Sequence, residues 1–207
     1  MIESYHELLA SVDEMASATA LSAVEGRRVS SVEQSPFSSV DSLSGSHFLR
    51  LRTDGPDGRS YILKRISRDW DWVMRVMGDD RCRAVLVWQS GLLDRLPAEI
   101  THQVVACCAD GGGWAVLLND VGPAMIPPGD DWISPADNHR LLDGMASLNA
   151  ALWGQAHLVG AEAGFSSLRQ RYSGLSPTHP THGHRGLGTA SIDGRFGRCR
   201  AHRLAPR

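Results

Sequence analysis

Two strand–turn–strand patterns restrict this chain more than any other feature of it. From His47 to Arg52 the side chains alternate, Leu49 and Leu51 on one side and Arg50 and Arg52 on the other, which is the period of a half-buried strand. Asp54-Gly55-Pro56-Asp57-Gly58 follows, a dense turn signal, and Ser60–Ile66 returns with Ile62, Lys64 and Ile66 on a single face. The pattern recurs in His102–Ala109 and Trp114–Leu118, joined by Asp110-Gly111-Gly112-Gly113. With a further extended segment marked by Val29, Val32 and Phe37, the sequence predicts an α+β fold around a mainly antiparallel sheet of about five strands.

The segments between these strands carry helical spacing. Glu3–Glu25 places apolar residues at Leu8, Leu9, Val12, Met15, Leu21 and Val24 and predicts an N-terminal helix over residues 1–26, stopped at Gly26. Asp69–Met77 and Arg81–Leu93 read as two helical pieces parted by Gly78 and ended by Pro97. Residues 27–121 then form the body of the fold, and residues 122–172 a Gly/Pro-rich connector followed by one more helix. In that helix Ser134 is the cap, Pro135 the first helical residue and Asp137 the completion of a short capping box. Its stripe of Leu141, Leu142, Met145, Leu148, Leu152 and Trp153 asks for a packing partner. From about residue 173 periodicity is lost: Ser176–Arg207 holds six arginines, four histidines and five glycines, so residues 173–207 are expected to be a disordered tail.

Composition excludes several classes. A net charge of −2 does not suit a dedicated nucleic-acid or anionic-membrane surface. No run approaches the roughly 18 apolar residues of a membrane span, and the first ten residues lack the layout of a signal peptide, so a cytoplasmic location is expected. Cys82, Cys107, Cys108 and Cys199 make no CxxC pair and read as reduced thiols. His179, His182, His184 and Cys199 could ligate zinc only in a folded tail, for which no apolar frame exists. Of the 21 basic residues a single one is lysine, Lys64. Arginine is a rigid fork and lysine a compact point charge, so this position is one where arginine would not serve.

The order of elements, together with Ser44-Gly45-Ser46, Tyr61-Ile62-Leu63-Lys64-Arg65, Gly91 to Pro97, Trp114 to Val121 and Leu148-Asn149-Ala150-Ala151-Leu152-Trp153, resembles the N-terminal lobe of the aminoglycoside phosphotransferases, relatives of the protein kinases. The likeness covers about Arg27 to Trp153. It implies a kinase-like N-lobe followed by an incomplete C-lobe, with ATP and Mg²⁺ as cofactors and a small-molecule hydroxyl as acceptor. Lys64 would neutralise the α- and β-phosphates, against the alternative of a solvated edge-strand lysine. Ser44, Gly45 and Ser46 would cover the phosphates with backbone N–H groups; as a segment with one glycine they also fit an ordinary loop. Leu118, Asn119 and Asp120 would bracket adenine at the hinge, although relatives carry an acidic pair there and Asn119 replaces its first member.

Other departures bear on activity. Kinase-like sites hold the lysine with a carboxylate from the following helix, yet no glutamate lies between Lys64 and Glu99. Asp80 is the nearest substitute among Asp69, Asp71, Asp79, Asp80 and Asp94. Asn149 stands where relatives tend to have histidine. The family's HGD-x4-N loop and later metal-binding aspartate have no counterpart: His182-Gly183-His184-Arg185 lacks the carboxylate, and Asp193 is the only acid after Glu162. A histidine does not replace an oxygen ligand of Mg²⁺. The expectation is therefore a nucleotide-binding part without intrinsic transfer activity, its tail not the family's sequence through a frameshift, a truncation or a mis-called gene. A non-catalytic, pseudokinase-like interaction module that self-associates through the exposed helix is the alternative, and a degenerate gene product a third.

Overall fold

The computed structural model describes residues 6–38, 44–122 and 133–155, with Leu158, Phe165, Arg169 and Tyr172. Five strands make one antiparallel sheet: β1 (Val32–Pro36), β2 (His47–Thr53), β3 (Ser60–Ile66), β4 (Val104–Asp110) and β5 (Gly113–Asn119), in the order β1-β2-β3-β5-β4. The α+β architecture and the antiparallel five-stranded sheet are as the alternation predicted. Between β3 and β4 lie α3 (Trp72–Val76), α4 (Arg83–Gln89) and a 3-10 turn at Leu92–Arg95. These are shorter than the helical runs the spacing suggested, because Asp69–Asp71 are spent on the turn and cap that open α3.

Register decides what each face of the sheet buries. Lys64 lies opposite Phe48 on β2 and Val116 on β5, and Ile62 lies opposite Arg50 and Leu118. These residues therefore share one face, and their neighbours Leu63, Leu51, Leu117 and Tyr61 share the other. That second face is covered by the N-terminal helices, whose Met15 and Leu21 are buried with Leu51, Leu63 and Leu117. Each such leucine contributes about 2 kcal/mol relative to exposure. Among the described residues, the Lys64 face is covered at its β3–β5–β4 side, where Met74, Cys82, Val85 and Trp88 pack on Ile66, Val116 and Cys107.

The single helix expected over Glu3–Glu25 is divided. Residues α1 (Val12–Met15) and α2 (Ala18–Glu25) are each opened by their own serine: Ser11 accepts from the Glu14 N–H, Ser17 from the Ala20 N–H. A second cap within six residues competes with continuation of the first helix. Upstream, the chain is extended. Leu9 N–H donates to the Cys107 carbonyl at 3.0 Å and forms a parallel bridge with Cys108, which shields the β4 edge of the sheet. At the opposite edge Pro36 removes a donor from β1.

Helix α5 (Pro135–Leu152) starts as the capping residues predicted, Ser134 Oγ accepting the Asp137 N–H at 3.0 Å. None of its residues is buried, and Leu141, Leu142 and Met145 are 47%, 52% and 61% exposed. Among the described residues no helix is long and apolar enough to cross a membrane. The expectations placed on residues 123–132 and on the tail from 173, His179, His182, His184 and Cys199 included, lie outside the described residues.

Candidate functional site

Lys64 leaves the middle of β3, the sheet's central strand, toward a cavity of about 220 Å³. Ser44, Asp71, Asp79 and Arg83 line that cavity with Lys64, and Met74, Met77 and Cys82 supply apolar wall. The lysine is not a solvated edge residue: strands flank it on both sides, and its Nζ lies 5.7 Å from the centroid of the Phe48 ring, within cation–π range. Among the described residues Lys64 makes no ion pair. A half-buried ammonium beside a cavity, without a carboxylate on it, can take an anion.

The Ser44–Ser46 segment is brought to this cavity by contacts with the turn that follows β3. Ser44 Oγ is 3.0 Å from Ser46 Oγ, and Ser46 Oγ donates to Asp71 Oδ2 at 2.9 Å. The Trp72 N–H donates to the Ser44 carbonyl at 3.0 Å. Gly45 has φ +94°, and a Cβ there would lie 2.5 Å from the Trp70 carbonyl oxygen. Both facts require glycine at this position. One turn residue further, the Trp70 ring stacks on His47 with centroids 5.0 Å apart.

Asp80, the acid expected to serve Lys64, does not reach the cavity. Its carboxylate pairs with Arg68 at the exposed surface. The acids in the cavity are Asp71 and Asp79, and each is engaged by backbone. Asp71 Oδ1 accepts the Met74 N–H at 3.1 Å, and Asp79 accepts the Arg83 N–H at 3.0 and 3.1 Å. Asp79 thereby holds the start of α4, where Cys82 carries the only positive φ (+53°) of a non-glycine residue among those described. The spacing Asp71-Trp72-Val73-Met74 is an N-cap signature that was available in the sequence; that Asp79 turns inward and Asp80 outward was not.

Leu118, Asn119 and Asp120 lie farther along β5. Leu118 is on the Lys64 face, two residues from Val116 and so about 7 Å along the strand. Asn119 falls on the other face opposite Tyr61, its N–H donating to the Gln103 carbonyl at 2.9 Å. Asp120 closes the sheet corner: it accepts from Arg50 Nε at 3.1 Å, Ser60 Oγ at 2.8 Å and the Gly122 N–H at 3.0 Å. Burial works to raise the Asp120 carboxyl, but those Gly122, Ser60 and Arg50 contacts outweigh it and hold the group below its usual value. The structure thus brings Lys64 and Ser44 to one cavity, holds Gly45 and Ser46 against the Trp70–Asp71 turn at its wall, and sets Leu118–Asp120 outside the cavity wall.

Fit to the implied cofactors differs between the two. Lys64 and Ser44 are two groups of the cavity lining that could hold a phosphate. For Mg²⁺, the cavity's two carboxylates, Asp71 and Asp79, already accept backbone N–H bonds, and no group of three or more His, Cys, Asp or Glu among the described residues is arranged to hold a metal ion. Among the described residues Cys82, Cys107 and Cys108 are free and buried. Burial pushes the Cys107 thiol up to about 12 and Cys108 to about 11, and it raises Cys82 as well. No protein-family profile, curated protein or solved structure matches the chain.

Proposed function

We propose that this chain supplies the nucleotide-gripping lobe of an ATP-dependent small-molecule phosphotransferase like the aminoglycoside phosphotransferases, binding nucleotide without completing phosphoryl transfer. The observation that carries the reading is the placement of the sole lysine, Lys64, on the central third strand, facing a cavity with Ser44 and bearing no ion pair among the described residues. It is supported by the strand order, in which β3 is flanked by β2 and β5 and the short helices α3 and α4 are inserted between β3 and β4. Leu118 contributes an apolar side chain on the same face, about the right distance away for a base whose phosphates reach Lys64.

Thermal denaturation with and without ATP tests this. Millimolar ATP should raise the melting temperature of the full chain, and Lys64→Ala should abolish the rise. Lys64→Arg should abolish most of it, because a fork does not replace a point charge. No stabilisation of the unsubstituted protein by ATP would reject the reading. The exposed apolar stripe of α5 favours one competing reading, a non-catalytic interaction module. Concentration-dependent association in sedimentation velocity, indifferent to ATP, would put that reading first.

A further inference from the structure

Asp71 joins three features of the site. It caps α3 through the Met74 N–H, it accepts the Ser46 hydroxyl, and its carboxylate lies in the wall of the Lys64 cavity with only 4% of the residue exposed. The described contacts of Ser44, Gly45 and Ser46 with the rest of the molecule run to Trp70, Asp71 and Trp72. The loop therefore takes its position from this corner, and Asp71 is the side chain at its centre.

The Ser46 hydroxyl has one proton to give. Ser46 donates that proton to Asp71 and lies 3.0 Å from Ser44 Oγ, so its hydroxyl is tied to two residues that line the cavity with Lys64. An incoming phosphate also meets the Asp71 charge in the same cavity. We propose that Asp71 is a positioning residue that holds the Ser44–Ser46 loop in its ligand-free arrangement and competes with phosphate for the Ser46 hydroxyl, so that it limits the affinity of the site for polyphosphates. This rests on the reading of Lys64 as a phosphate-binding group.

Two variants separate the parts. Asp71→Asn keeps one oxygen to cap the Met74 N–H, but it places an amide donor where Oδ2 accepted the Ser46 hydroxyl and loses the charge. Ser46→Ala removes the hydroxyl and leaves the cap. Hydrogen exchange of the Trp72 amide, measured without ligand, should accelerate about tenfold in Ser46→Ala while β3 amides stay as protected as before; unchanged exchange at Trp72 would overturn the positioning role. Calorimetric titration with inorganic tripolyphosphate and with ATP should give affinities roughly fivefold tighter for Asp71→Asn, the effect of removing one charge several ångströms away in a half-buried site. Equal or weaker binding by Asp71→Asn, when the unsubstituted protein binds, would overturn the competition and leave the nucleotide reading standing. Binding by neither protein would reject the nucleotide reading itself, and the competition with it.

Discussion

The carboxylate of Glu25 is fully shielded from solvent, and replacing it should reveal how the N-terminal helices are fastened to the sheet. It sits on the last residue of α2, where the helix dipole disfavours a negative charge. Arg27 offsets this at 2.6 Å, with the Glu25 side chain 0% exposed. The other oxygen accepts from Thr53 Oγ1 at 2.8 Å and the Tyr61 hydroxyl at 3.2 Å, both on strands of the sheet. Glu25→Ala removes the acceptor of the buried Tyr61 hydroxyl and the ion-pair partner of Arg27, which keeps Thr53 Oγ1 and the Asp54 carbonyl, a loss of about 2–3 kcal/mol. Glu25→Gln keeps one acceptor oxygen and relieves the dipole clash, so about 1–2 kcal/mol is expected. Urea denaturation followed by circular dichroism measures both. Tyr61 adds a signature: burial first, then the Glu25 charge and hydrogen bond, raise its pKa above 10.0. A raised folded-state value means that the stabilisation is whole below pH 10 and is lost as pH climbs above it. Glu25→Gln removes the second cause, so its melting temperature should fall less steeply than that of the unsubstituted protein as pH rises above about 10. A Glu25→Ala variant within about 0.5 kcal/mol of the parent, or equal to Glu25→Gln, would refute the argument that this carboxylate is the joint.

Two further outcomes test the packing around the site. At Gly113 a Cβ would lie 2.4 Å from the Ile66 carbonyl oxygen and 2.7 Å from the Ser67 Cβ. Neither neighbour is the free end of a flexible side chain, so Gly113→Ala should destabilise by about 2 kcal/mol or more in chemical denaturation, and a neutral result would contradict the β3–β5 register. Cys82, Cys107 and Cys108 are all buried with thiols shifted upward, Cys107 to about 12. Peptide mapping after iodoacetamide at pH 8 should find these three unmodified in the native protein and fully alkylated in urea.

Strands and turns were legible because their signals are local. The alternation at His47–Arg52, the glycine-rich turns and the Ser134 cap of α5 each depend on a few neighbouring residues, and the corresponding elements occur where those residues stand. The N-terminal helix was misread because apolar spacing carried the expectation across Ser11 and Ser17, whose side chains each begin a new helix. At the candidate site the sequence singled out Lys64 by its rarity and Ser44–Ser46 by their size. It pointed to Asp80 as the neighbouring acid, while Asp71 and Asp79 occupy the cavity.

By itself, the sequence determined that Lys64 lies on a strand beside Ile62 and Ile66, because side-chain direction follows from the two-residue period alone. Only the tertiary structure decided that this strand is central, with β5 reaching it from 50 residues downstream. It also decided that the loop before β2 is pinned to the turn after β3. Pairing partners and the inward side of a turn depend on contacts between distant segments, and local propensity carries no record of which segments will meet.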